Sequence, residues 1–513
     1  MPDGTTIDAD ICIVGAGAAG ITLALDLADG KRRVAVLESG GFDFDQATQD
    51  LYRGQVVGRE FTPLDADRLR YLGGTTNHWS GSCRPFDEID LEPRTYVPNS
   101  GWPFGRATLD PFYRRAQEIC QLGPFTYDPN EWTSPGAEPL KLEAGARILT
   151  GIYQTSPPTR FGEAYREKLT KADGVVVYLN ANVVGIDTTE NAQEVTRLCL
   201  ASLDGRRFTA RSKYYVLAAG GIENARLLLN ANQMQAMGLG NRFDLVGRYF
   251  MDHPIVTGAA TVLFQKPNPA LAFYEGVSVR GHNIAGYLYA PPDVLRAEEL
   301  PAFSIGIHPG NPPSKDFTKL SLNAIWREIK TGRWPDDLGF YISRVLSGLE
   351  WEAKTTYEKM VHSAATLYST ICLFECAPNR DSRVMLDDTV DAFGMRRVKL
   401  DWRVSDSLGA DVRRAHELFA QELGRADLGR LRMNMDEEEI LRSVQNAHHH
   451  MGTTRMHRDA EQGVVDENCR LHDVENLFIA GSSVFPSYSF DDPTLTIVAL
   501  ALRLSSHLKQ LSM

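Results

Sequence analysis

The chain has 513 residues, enough for more than one ordinary domain, since domains usually run to about 100–200 residues. Hydrophobic residues make up 43% and charged residues 23%, which excludes disordered and fibrous classes. Lys+Arg 54 against Asp+Glu 66 leaves a net charge of −12, which argues against a dedicated nucleic-acid binder because phosphate contacts need clustered cations.

In chain order, residues 8–14 (DADICIV) form an apolar run suited to a buried strand. They lead into Gly15-Ala16-Gly17-Ala18-Ala19-Gly20, then a helical stretch, then a second apolar run over residues 33–37 that ends at Glu38. This is a complete βαβ unit. Glycines at 15, 17 and 20 allow a tight turn and let backbone approach a pyrophosphate seated on the positive end of the following helix. Glu38 stands where a carboxylate can bind the ribose hydroxyls, which disfavours NADP.

Residues 40–150 are rich in Gly, Pro and aromatic side chains and read as long excursions. Strand character returns over residues 174–217, with a turn at Leu203-Asp204-Gly205. Over 256–450 strand-like runs accompany an amphipathic helix at 409–424, where Val412, Ala415, Phe419 and Leu423 share one face. A final strand at Phe478-Ile479 precedes a helix opened by Pro493. Strand-to-glycine turns recur at Val216–Gly221 and Phe478–Ser482, so the dinucleotide is expected to be FAD, clamped at several points, rather than NAD.

The seven cysteines stand apart with no C-x-x-C pair, which suggests reduced thiols and a cytoplasmic setting. No secretory-type leader precedes the first strand, and no run of about 18 apolar residues suggests a membrane span.

On the glycine fingerprint, Gly73-Gly74-Thr75-Thr76-Asn77-His78-Trp79-Ser80-Gly81, VLAAGGIENARLLL at 216–229, and HHHMGTTRM at 448–456 followed by DPTLTIVALALRL, the chain resembles the glucose–methanol–choline (GMC) FAD oxidoreductases over nearly its whole length. Within them it looks most like the branch of pyranose oxidases, glycoside 3-oxidases and bacterial sugar dehydrogenases. The resemblance implies an α/β fold, a Rossmann-like FAD-binding domain with an inserted α+β substrate domain of antiparallel sheet plus helices. Residues 1–85, 150–255 and 455–513 would make the cofactor domain, and 86–149 and 256–454 the substrate domain and excursions. The cofactor set would be Gly15, Gly17, Gly20, Glu38, Gly74, Thr75, Asn77, His78, Val183, Ala219, Gly481, Ser482 and Thr494.

The family's active-site histidine stands in H-x-x-G-T, a pattern that His449 fits. As a general base it would take a hydroxyl proton while hydride leaves carbon for the flavin. His448 and His450, facing away on an extended segment, would make second-shell or solvent hydrogen bonds, and no metal is expected. Asp492 replaces the usual His or Asn before the last helix. It caps that helix alone, caps it while also pointing at substrate beside His449, or marks a changed reaction. With Asp491 it makes a cationic amino sugar a candidate substrate. His78 stands where some relatives attach FAD covalently, and it would either form that bond or donate a hydrogen bond.

The implied function is FAD-dependent oxidation of an alcohol, chiefly a secondary hydroxyl of a sugar or glycoside, with oxygen or an external acceptor reoxidising the flavin. A tailoring oxidase for non-sugar alcohols and a non-redox flavoprotein lyase are the alternatives. Asp252-His253-Pro254 reads as an interdomain connection, Arg455 as an organiser of its loop through bidentate hydrogen bonds, and Cys372 and Cys376 as core. Trp102, Tyr113 and the aromatic-rich stretch 337–357 read as core or pocket lining.

Overall fold

The computed structural model describes residues 2–157, 159–265, 271–309 and 367–512. Parallel strands with both faces covered need near-continuous apolar sequence, and ICIV in Thr6–Val14 and VAVL in Val34–Leu37 supply it. These two strands sit inside a sheet ordered Val175–Tyr178, Val34–Leu37, Thr6–Val14, Arg207–Leu217, Val195–Ala201, Asn182–Thr188. The first four run parallel, the last two pair antiparallel, and Leu477–Ile479 lies parallel to Tyr215, Val216 and Leu217. The helix Ala18–Leu27 covers this sheet with Thr494–Leu511 packed against it. Lys509 Nζ meets Asp26 Oδ2 at 2.9 Å across that helix pair.

A second sheet of nine strands is antiparallel throughout. Its main path runs Gly429–Met433, Pro254–Phe264, Leu367–Phe374, Phe303–Pro309, His282–Tyr289, Leu149–Thr155, Ser82–Cys83. The strand Leu149–Thr155, placed mostly in the cofactor domain from sequence, is therefore paired in this second sheet, as is Ser82–Cys83. Short neighbouring segments give no local signal of which sheet will accept them. The helix Leu408–Arg425 packs here with Val412, Ala415, Phe419 and Leu423 all buried, as the spacing predicts. Its His416 Nε2 reaches Thr370 Oγ1 of the sheet at 3.0 Å. A three-stranded sheet of Arg383–Val390, Arg396–Asp401 and Gly54–Val56 completes the described strands.

Trp102, Tyr113, Cys372 and Cys376 are all buried in the core. The stretch 337–357 lies outside the described residues. Two sets of backbone bonds matter for the site. Met251 and Met451 exchange both hydrogen bonds, at 3.0 and 2.9 Å. The amides of Gly452, Thr454 and Met456 donate to the carbonyls of Ser482, Ser483 and Val484 at 3.1, 2.8 and 2.8 Å. The histidine-rich segment is thus held between the start of one sheet's long strand and the turn that ends the other sheet.

Candidate active site

A cavity of about 730 Å³ runs between the glycine turn and the histidine segment. Eleven of the cofactor positions read from sequence line it: Gly15, Gly17, Glu38, Gly74, Thr75, His78, Val183, Ala219, Gly481, Ser482 and Thr494. The remaining two, Gly20 and Asn77, are set back from it. A Cβ on Gly20 would lie 1.9 Å from the Gly15 carbonyl oxygen, so this glycine lets the helix approach its own turn. Asn77 Nδ2 donates to the Leu72 carbonyl at 2.8 Å and braces the Gly73–Gly74 loop.

The cradle fits a dinucleotide. A Cβ on Gly17 would meet no protein atom within 4 Å, so that position opens onto the cavity rather than onto packing. Glu38 is buried, and its two carboxylate oxygens accept the amides of Ala16 and Gly40, each at 2.8 Å. That clamp ties the turn to the end of the second strand and leaves lone pairs for ribose hydroxyls.

The histidines sit at the far end. His448 has a left-handed φ of 65°, so the segment is not extended there, and His448 and His450 converge instead of simply turning away. Asp67, fully buried, accepts from His448 Nδ1 through one oxygen and from His450 Nε2 through the other at 2.5 Å. Burial raises the Asp67 carboxyl, but the two histidines beside it outweigh that and hold it far below the usual carboxylate range. Asp252 Oδ1 accepts the amides of Ala447 and His449 at 3.2 and 2.9 Å and so fixes the backbone on both sides of His448.

His449 projects between these anchors. Its Nδ1 lies 2.9 Å from His253 Nδ1, with the rings at 88°. Its Nε2 faces Asp492 Oδ1 at 3.5 Å on the cavity wall. Burial drives His449 well below its ordinary value, and the charges of His253, His448 and His450 add to this. Burial pushes Asp492 up to about 7. A low dielectric disfavours the charged form of each group, so burial favours a neutral imidazole and raises the carboxyl beside it.

The helix Thr494–Leu511 has Pro493 at its N-cap and no side-chain cap bond, so Asp492 does not cap it. Asp491 also departs from expectation. It is fully buried, its Oδ2 accepts from Arg84 Nη1 at 2.6 Å, and it does not line the cavity. Of the two adjacent acids only Asp492 lines the cavity, and Tyr488, Ser489 and Phe490 before them are buried. Arg455 makes one described hydrogen bond, to the Asn99 carbonyl at 2.9 Å, and stacks its guanidinium 4.3 Å from the Tyr249 ring centroid, in place of a bidentate contact.

His253 is the residue that sequence reasoning assigned elsewhere. It is fully buried at the head of Pro254–Phe264, and Asp252, His253 and His449 form a group whose donor atoms lie within 4.8 Å of one another. An aspartate and a histidine interrupting the apolar run from Tyr249-Phe250-Met251 to Pro254-Ile255 were the available signal.

Residues 378–501 match the family model described as GMC oxidoreductase, and residues 10–239 match that of FAD dependent oxidoreductase. The chain thus carries the C-terminal domain of the GMC oxidoreductases behind an FAD-dependent oxidoreductase domain. It is 24% identical to the fructose dehydrogenase large subunit of Gluconobacter japonicus, over 97% of each chain. It is 25% identical to the 6'''-hydroxyparomomycin C oxidase of Streptomyces lividus, over 97% of this chain and 90% of that one. Pyridoxine 4-oxidase from Mesorbium loti shares the fold of this GMC protein with a TM-score of 0.58 at 16% identity, covering 98% of this chain and 99% of that structure. The chain is an FAD-dependent oxidoreductase acting on alcohol groups. No helix among its described residues is long and apolar enough to cross a membrane.

Proposed function

We propose that the chain oxidises a hydroxyl of a sugar or glycoside to the carbonyl, with His449 as general base. The observation that carries this reading is a half-buried, neutral imidazole lining the dinucleotide cavity with its Nε2 3.5 Å from an acid on the same wall. FAD bound in the cavity supplies the two-electron acceptor for the substrate hydride.

The chain's own residues do the rest. Gly15, Gly17 and Gly74 would admit the pyrophosphate, Glu38 would hold ribose, and Ser482 and Thr494 would lie along the cofactor at the His449 end. His449 Nε2 takes the hydroxyl proton, and ionised Asp492 stabilises the imidazolium that results. Support for a sugar comes from the two near full-length relatives named above. The presence of Asp492 on the cavity wall, with an aminoglycoside oxidase among those relatives, favours an amino sugar as the second reading. His78 lines the same cavity, where desolvation, aided by the charge of His448, lowers it to about 4, so it stands there as a neutral imidazole. Colour retained in an acid precipitate marks a covalent bond there, and colour in the supernatant a hydrogen bond. Seven unpaired cysteines support a cytoplasmic setting.

Anaerobic bleaching of the flavin by D-fructose, methyl β-D-glucoside and paromomycin, against 2-propanol and benzyl alcohol, tests the assignment. Bleaching by the sugars is expected. Bleaching by the simple alcohols alone removes the sugar, and none by any of them favours a non-redox reaction. His449→Ala should slow bleaching by about 10²–10⁴-fold while leaving the bound flavin spectrum unchanged.

A further inference from the structure

His253 has no part in the reaction as derived so far, yet both of its ring nitrogens are engaged, and the two contacts together decide where a proton sits. Its Nε2 lies 2.5 Å from the carbonyl oxygen of Ser489. A carbonyl only accepts, so Nε2 carries the hydrogen. In a neutral ring Nδ1 is then a bare lone pair. The same Nδ1 lies 2.9 Å from His449 Nδ1, so His449 must be the donor of that bond. A neutral His449 with its hydrogen on Nδ1 has its lone pair on Nε2, the nitrogen that faces Asp492 and the cavity.

We propose that His253 is a positioning residue that fixes His449 as the Nδ1–H tautomer and so presents the Nε2 lone pair to the substrate hydroxyl. The inference rests on the reading of His449 as the base. His253 is itself held on three sides. The edge of the Tyr488 ring lies against it at 4.8 Å, the Ser489 carbonyl accepts from it, and Pro254 begins a strand paired through Asn446 to the histidine segment. Ser489 and Asp492 lie three residues apart on one segment, so the path Ser489 carbonyl, His253, His449, Asp492 leaves that segment and returns to it. One turn of chain therefore sets both the tautomer and the acid opposite it.

The orienting group is a neutral imidazole rather than a carboxylate. A carboxylate at Nδ1 would stabilise imidazolium and make His449 a stronger base that is charged sooner. A neutral acceptor orients the ring with no such charge, so among the described residues the acid facing the proton-accepting nitrogen is Asp492. The other titratable groups facing the pair are His448, His450, Asp67, Asp252 and Tyr488.

The test uses the FAD-loaded enzyme with ¹⁵N-histidine labelling and three variants. In the wild type the His449 signals should show a protonated Nδ1 and a bare Nε2 at pH 8. His253→Gln keeps a donor for Ser489 but offers no acceptor at the Nδ1 position. It should lose the single tautomer and about 10²–10³-fold in kcat for bleaching by paromomycin or D-fructose, with KM changed less than about threefold. His253→Asn places an amide oxygen near the Nδ1 position and should restore the tautomer and most of kcat. An unchanged tautomer and kcat in His253→Gln overturns the inference. A stoichiometric divalent metal in the wild type that is lost from His253→Gln also overturns it, since the metal and not a hydrogen would then join the rings. If His449→Ala retains full kcat, the reading of the base fails instead, whatever the tautomer shows.

Discussion

Asp492 concentrates the chemistry at the residue scale. Its carboxyl, pushed by burial up to about 7, must lose its proton before it can stabilise a protonated His449, whereas the protonated form donates to the Nε2 lone pair and blocks it. Turnover should therefore rise with pH through about 7. In Asp492→Asn that limb should move to lower pH, because His449 itself is held well below its ordinary value. A pH profile of the reductive half-reaction checks this. The same group has a stability signature. A raised folded-state value means the folded chain binds the proton more tightly than the unfolded chain, so stability falls as pH rises from about 4 to about 7. Asp492→Asn should melt higher than wild type at pH 8 and close to it at pH 4, read by thermal unfolding at the two values.

At the scale of elements, the glycine turn separates packing from binding. Gly20→Ala drives a methyl into the Gly15 carbonyl and should cost both folding and flavin content. Gly17→Ala meets nothing in the protein, so the apo-protein should melt within about 2 °C of wild type while FAD binds at least tenfold more weakly, by flavin fluorescence titration. This turn was legible in sequence because strand, glycines, helix and Glu38 are consecutive. His449 was legible for a similar reason, since its motif is local. His253 was not, because the partners that define it lie 196 and 236 residues away. Nor was the divergence of Asp491 and Asp492. Two adjacent acids before a proline read alike until Arg84, 407 residues off, claims one of them. The expected cap failed because Pro493 occupies the N-cap position itself.

At the scale of the whole molecule, a buried ion pair fastens the 86–149 excursion to the second sheet. Arg94 Nη1 and Nη2 meet Glu375 Oε2 and Oε1 at 2.8 and 2.5 Å, just beyond the strand Leu367–Phe374, with almost no exposure of either side chain. Arg94→Ala leaves an unpaired buried carboxylate and should destabilise the fold by about 3–5 kcal/mol in urea titration.

The first sheet carries a consequence for biosynthesis. Thr6–Val14 leaves the ribosome well before Leu477–Ile479, Ser482 and Thr494 have been made. Contacts so distant in sequence close slowly, and the cavity wall is open until they do. Stable flavin capture should therefore wait for Leu477–Ile479 and the cavity residues after it, and until then the apolar strands lack their last neighbour. Nascent chains stalled before residue 477 should retain no FAD, whereas the released protein acquires it.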